Sequence, residues 1–114
     1  MANPTSARIE NLKKYLSEDP KDVFLRYALA IELFNNTELE EAEKHFEELL
    51  RDEPDYLATY YQYGRLLEES DRPLLAIDVY KAGVKIAENQ NNARTVKELK
   101  QAISSLIENE DEQK

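Results

Sequence analysis

The sequence contains no cysteine, and its 114 residues include only two glycines and four prolines. Without cysteine there is no disulfide, no thiolate metal site and no cysteine nucleophile. Two glycines supply too few tight turns for a sheet of many hairpins, and they form no glycine-rich phosphate loop. Because apolar residues recur at spacings of three and four, helices are the expected element.

Positive charge is also scarce, since 15 lysines and arginines accompany 24 aspartates and glutamates, giving a net charge of -9. Such a chain is repelled by phosphate backbones and by anionic lipid surfaces, so we expect no nucleic-acid partner and no membrane partner. The first twelve residues contain no apolar run of the kind found in secretory signals, and no segment approaches a membrane-spanning length. The expected location is therefore the cytoplasm.

Side chains that could support catalysis or metal binding are few. His45 is the only histidine, and Glu41 and Glu48 lie on the same predicted helix face, where the three side chains could bind a divalent metal weakly. Glutamates also fill most neighbouring positions, so a histidine in this helix would meet carboxylates by chance, and we interpret the cluster as a solvated helix face. No serine lies in a Gly-x-Ser-x-Gly elbow. We therefore predict no enzyme activity, no metal site and no cofactor.

A 34-residue repeat organises most of the chain. Pro20 and Pro54 are 34 residues apart, and each follows a pair of acidic residues. The same shift superposes further positions, namely Leu29-Ala30 on Tyr63-Gly64, Leu33 on Leu67, Ala42 on Ala76, Phe46 on Tyr80 and Leu50 on Val84. One pair of helices cannot bury its own apolar stripe, so this period indicates stacked helix pairs.

The repeated positions resemble the signature of the tetratricopeptide repeat family, which has an aromatic, a large–small pair and an apolar residue, then alanine, an aromatic and proline. The second repeat matches it most closely, with Tyr60, Tyr63-Gly64, Leu67, Ala76 and Tyr80. Glu88 replaces its final proline, and in the first repeat Arg26 replaces the bulky aromatic. The resemblance covers residues 7–88 and implies an all-α fold, a right-handed solenoid of about six helices in antiparallel pairs.

We expect a single domain over residues 1–108, followed by an acidic tail at 109–114 that is predicted to be disordered. The domain comprises a half repeat at 5–20, repeats at 21–54 and 55–88, and a capping helix at 89–108. The predicted helices lie near 5–18, 22–35, 38–52, 56–69, 73–88 and 92–108. Asp22, Thr37 with Glu40, and Asp71 before Pro73 are the predicted helix starts.

The last predicted helix fits the period only after a slip of two residues. The slip puts Val96, Leu99 and Ile103 on the apolar stripe, and it puts Lys100 in the position that the repeats reserve for a small residue. A lysine there would prevent a further helix from packing closely. These are features of a terminal cap.

The family resemblance also implies a function, because its members bind extended or helical peptides on a concave face lined by the first helix of each pair. The residues predicted for that face are Tyr27, Ile31, Phe34, Tyr61, Arg65, Glu68, Lys97 and Gln101. We therefore expect an adaptor or scaffold that binds an amphipathic or acidic segment of a protein partner. The alternative is a self-associating structural module, a homodimer formed through the Tyr27/Ile31/Phe34 patch.

Overall fold

The computed structural model describes residues 4–112. Within this range the chain forms six α-helices joined by short loops and no strand, so the predicted all-α helical-repeat fold is confirmed. The helices are α1 (Pro4–Glu18), α2 (Val23–Asn35), α3 (Leu39–Asp52), α4 (Ala58–Glu69), α5 (Pro73–Asn89) and α6 (Ala93–Glu112).

The helix α6 continues into the predicted tail and ends at Glu112, while the disorder of the tail stays a prediction. The physical reason is local: no glycine or proline follows Ile107, and glutamate is a good helix former, so nothing in this segment stops the helix. Residues 113–114 of the predicted tail lie outside the described residues.

The chain divides into two compact units, one ending at Thr59 and the other beginning at Tyr60. The first unit contains α1 to α3, and in it α2 packs against both of its neighbours along the chain. The second contains nearly all of α4, with α5 and α6 packed against each other. The single domain over 1–108 and its division into repeats stay predictions.

The core of the first unit pairs large residues with small ones, as the repeat pattern predicts. Phe46 and Leu33 are completely buried, and so are Ala30 and Ala42, whose methyl groups allow neighbouring helices to approach closely. Each fully buried phenylalanine or leucine side chain contributes roughly 1.5–3 kcal/mol through the hydrophobic effect.

In the second unit, two glycines make the close helix contacts possible. A Cβ atom at Gly64 in α4 would overlap the ring of Tyr80 in α5. A Cβ atom at Gly83 in α5 would lie 2.7 Å from the Cβ of Tyr60 and 3.0 Å from a methyl of Leu99 in α6. Tyr80 and Leu99 are completely buried at these two contacts.

The loops after α2, α4 and α5 share one geometry, in which a residue other than glycine adopts a left-handed conformation. These residues are Thr37, Asp71 and Asn91, with φ of 58°, 60° and 57°. After Thr37, the amide of Glu38 donates to the carbonyl of Leu33 at 3.0 Å, which is the hydrogen bond of a Schellman motif. Thr37 and Asp71 thus end helices, and predicting them as N-caps was wrong.

The side chains of two other residues cap the N-terminal ends of helices. The predicted cap at Asp22 is confirmed, since its carboxylate accepts a hydrogen bond from the amide of Leu25 at 2.9 Å. Asn92, which the sequence analysis missed, accepts from the amide of Thr95 at 3.1 Å before α6. Each bond satisfies one of the amides that an α-helix leaves unpaired at its start.

Candidate functional site

An open pocket of about 470 Å³ lies between α4 and α6 in the second unit. The residues that line it are Tyr61 of α4 and Glu98, Gln101, Ala102 and Ser105 of α6. The α6 residues recur at spacings of three and four, which places them on one face of the helix. The side chain of Tyr61 is 38% exposed, so its ring is accessible from solvent.

The pocket lining combines an aromatic ring with groups that donate or accept hydrogen bonds. Gln101 offers an amide, Ser105 a hydroxyl and Glu98 a carboxylate. The carboxylate of Glu98 lies 3.2 Å from the guanidinium of Arg94 one turn earlier, and half of its side chain is exposed. An apolar surface with a few polar groups beside it can bind a segment of polypeptide, whose backbone also needs hydrogen-bonding partners.

Tyr61, Arg65 and Glu68 form one row along α4, because their spacings of four and three keep them on the same helix face. Arg65 is exposed, with its guanidinium 4.0 Å from the carboxylate of Glu69. Glu68 accepts a hydrogen bond from the buried hydroxyl of Tyr80 in α5. The structure therefore gives Glu68 a partner within the unit, a role that sequence reasoning had not foreseen.

The chemistry of Tyr80 explains why this hydrogen bond persists. Burial raises the pKa of the Tyr80 phenol above its ordinary value of 10.0, and the hydrogen bond to Glu68 and its negative charge raise it further. The phenol consequently stays protonated at neutral pH and acts as a donor. The ring of Tyr80 also meets the ring of Tyr61, with centroids 6.2 Å apart.

Of the two residues predicted on α6, Gln101 lines the pocket and Lys97 is exposed but does not line it. Lys97 is four residues before Gln101, so it lies beside Gln101 on the same side of α6, next to the pocket but not in its lining. The sequence analysis missed Glu98, Ala102 and Ser105. Their spacing of three or four from Gln101 or from each other was the signal that could have identified them.

In the first unit, the predicted patch of Tyr27, Ile31 and Phe34 is not an exposed apolar surface. Phe34 is only 7% exposed, and its ring packs edge-on against Phe46, with centroids 6.4 Å apart. Tyr27 is partly buried, and its ring lies 5.4 Å from that of Tyr56; Ile31 is partly buried as well. Treating Phe34 as a surface residue was wrong, because α3 folds back over this part of α2.

The first unit has an open pocket of its own, about 330 Å³ in volume, between α1 and α2. The residues lining it are Arg8, Asn11, Leu12, Tyr15, Ala28 and Glu32. The guanidinium of Arg8 lies 3.1 Å from the carboxylate of Glu32, an ion pair that joins the two helices. Tyr15 is 53% exposed, and none of the predicted binding residues contributes to this pocket.

His45 lies on α3 with Glu41 and Glu48 near it. Burial lowers the pKa of His45 below its ordinary value, although the charges of the two glutamates act in the opposite direction. Across residues 4–112, no group of three or more histidine, aspartate or glutamate side chains is arranged to hold a metal ion. Within the same range, no helix is both long and apolar enough to cross a membrane.

No family model and no curated protein matches the chain, but solved structures do. A tetratricopeptide repeat domain protein from Salinibacter ruber, known from a solution NMR structure and a crystal structure, is 39% identical in both comparisons. The NMR structure matches over 76% of this chain and 88% of its own, with a TM-score of 0.73. The crystal structure matches over 75% of this chain and 96% of its own, with a TM-score of 0.70.

A protein from Bordetella parapertussis, also solved in solution, covers 96% of this chain and 91% of its own with a TM-score of 0.80. Its sequence is only 21% identical, so this likeness concerns the fold alone.

Proposed function

Because the chain belongs to the tetratricopeptide repeat family, we propose that it binds a segment of another protein at the pocket between α4 and α6. Its fold is a helical-repeat module of the kind typical of protein–protein interaction. The observation that carries the proposal is that Tyr61 and Gln101, predicted from the repeat register, line one pocket.

The groups around the pocket suit an extended or helical segment that is amphipathic or acidic. The exposed ring of Tyr61 offers an apolar surface for a side chain of the segment. Gln101 and Ser105 can hydrogen-bond to its backbone, and the guanidinium of Arg65, one turn along α4, can pair with a carboxylate. Glu68 contributes indirectly, through its hydrogen bond to the tyrosine that contacts Tyr61.

The remaining predicted binding residues have weaker support. Tyr27 and Ile31 stand at the positions of the first repeat that correspond to Tyr61 and Arg65, and they stay predictions. Lys97 stays a prediction too, because it lies beside Gln101 but does not line the pocket. Phe34 is withdrawn because it is buried, and the homodimer through the Tyr27/Ile31/Phe34 patch is not proposed further. The cytoplasmic location and the absence of catalysis likewise stay predictions.

The proposal can be tested without knowing the natural partner. Peptides selected from a random display library against the intact protein would be synthesised with a fluorophore, and their dissociation constants measured by anisotropy. Tyr61→Ala and Gln101→Ala should each weaken binding by about tenfold, as loss of an interface anchor does. Tyr15→Ala, which removes an exposed tyrosine from the first unit, is the matched control and should leave the constant unchanged.

Circular dichroism would establish that the variants keep the wild-type helicity. If the selected peptides bind Tyr61→Ala and Gln101→Ala as tightly as they bind the wild-type protein, the binding surface lies elsewhere.

A further inference from the structure

A second apolar surface of the second unit lies on a different face of α6 from the pocket. Val96, Lys100, Ile103 and Ile107 follow one another at spacings of four, three and four, so they form a continuous stripe along the helix. Val96 and Ile103 are partly exposed, and Ile107 is 46% exposed. The stripe is thus aliphatic except at Lys100.

Charge is distributed unevenly along the same helix. Lys97 and Lys100, both exposed, stand in its first half, whereas the segment 108–112 carries four acidic residues and no basic one. A parallel pairing of two such helices would bring like charges together. An antiparallel pairing would bring the lysines of each copy beside the acidic end of the other. The midpoint between Lys100 and Glu108 is Ser104.

We propose that this stripe of α6 is the interface of a homodimer, in which the α6 helices of two copies cross antiparallel near Ser104. The arrangement covers Ile107 of each copy with the aliphatic stem of Lys100 from the other, whose ammonium group then reaches the acidic end. An α6 of 20 residues is about 30 Å long, which is enough for both halves of the helix to take part. This interface is distinct from the peptide pocket.

Sedimentation equilibrium from about 1 μM to about 1 mM tests the association itself. The wild type should dimerise, and more weakly at high salt because the lysine–carboxylate pairs are screened. Ile107→Glu should raise the dissociation constant by at least about tenfold, since it places an unpaired charge in an apolar contact. Phe24→Glu, at a 67% exposed position of the first unit, is the control and should leave it unchanged.

The orientation can be tested because the chain has no cysteine and carries adjacent exposed serines, Ser104 and Ser105. A short bismaleimide should join two copies of the Ser104→Cys variant. It should not join copies of Ser105→Cys, whose side chain faces the peptide pocket. Equal cross-linking of the two variants, or cross-linking of Ser105→Cys alone, would overturn the antiparallel arrangement.

A charge exchange provides an independent test of the same arrangement. Lys100→Glu should give a monomer, and so should Glu108→Lys. An equimolar mixture of the two variants should form a heterodimer at about the wild-type affinity, since opposite charges face each other again. A wild type that stays monomeric at every concentration, or a mixture that does not associate, would overturn the proposal.

Discussion

The hydroxyl group of Tyr80 in α5 donates a hydrogen bond to the carboxylate of Glu68 in α4. The same tyrosine is completely buried, packs its ring against Tyr61 and fills the space that Gly64 leaves open. One side chain therefore joins two helices and supports the aromatic ring that lines the candidate pocket. The stability of this unit and the geometry of its pocket depend on the same residue.

Replacing Tyr80 by phenylalanine keeps the ring and removes the donor. The carboxylate of Glu68 then loses its partner at a part-buried site, so we expect the free energy of unfolding at pH 7 to fall by about 1–2 kcal/mol. Urea denaturation followed by circular dichroism measures the change. Tyr61→Phe, which removes a hydroxyl from a 38% exposed ring, should change stability by less than about 0.5 kcal/mol. Equal losses in both variants would contradict a special role for the Tyr80 hydroxyl.

The raised pKa of Tyr80 predicts a loss of stability in alkali. Burial and the hydrogen bond to Glu68 keep the phenol protonated in the folded state, whereas in the unfolded state it ionises near its ordinary pKa of 10.0. The unfolded state thus releases this proton first, and the stabilisation that is complete below pH 10 is lost as the pH rises above it. The expected slope from this residue is at most about 1.4 kcal/mol per pH unit.

This alkaline effect can be isolated by comparing the unfolding free energy of the wild type and Tyr80→Phe at several pH values from 8 upwards. Other tyrosines and lysines titrate in both proteins, so only the difference between the two curves reports on Tyr80. The difference should shrink, and then reverse, as the pH rises above 10. Parallel curves would contradict the raised pKa.

Gly64→Ala tests the close approach of α4 and α5. Alanine is a better helix former than glycine by about 1 kcal/mol, which alone would stabilise α4. The added Cβ, however, would overlap the buried ring of Tyr80, and forcing a methyl into a packed core costs about 1–3 kcal/mol or more. We expect net destabilisation in urea denaturation. A variant more stable than the wild type would show that the helices can separate at little cost.

The positions of all six helices followed from the sequence because the 34-residue recurrence of small and large residues reflects how the helices pack. The sequence predicted less well which residues of these helices are exposed. Tyr27, Ile31 and Phe34 share a predicted helix face, but whether Phe34 is covered depends on where Phe46 of the next helix lies, and spacing along one helix does not show that. On α6, Lys97 and Gln101 are one turn apart, and their spacing does not show that only Gln101 lines the pocket.

Arg26 shows a departure from the family pattern that only the structure explains. It stands where the family has a bulky aromatic, and its guanidinium lies 2.8 Å from the carboxylate of Asp52 at the end of α3. The side chain is only 16% exposed, so its aliphatic part fills space while its charge joins the two helices. Hydrogen bonds from Arg51 and then from Arg26 lower the pKa of Asp52 below its ordinary value.

Thr37 was mistaken for a helix start because threonine followed three residues later by Glu40 matches a capping box. In the structure Thr37 instead ends α2 with a positive φ of 58°, in a loop that contains no glycine. A β-branched residue is strained in this region by roughly 1–2 kcal/mol, whereas asparagine tolerates it. The same geometry is therefore less costly at Asn91, where φ is 57°.

We therefore expect Thr37→Gly to stabilise the protein, by about 0.5–1 kcal/mol once the greater freedom of glycine in the unfolded chain is subtracted. The hydroxyl of Thr37 bonds only to the adjacent Asn36 carbonyl at an exposed site, so its loss costs little. Asn91→Gly is the matched control, with an expected gain of no more than a few tenths of a kcal/mol. Urea denaturation of the two variants distinguishes these outcomes, and a Thr37→Gly protein no more stable than the wild type would show that threonine occupies this loop without strain.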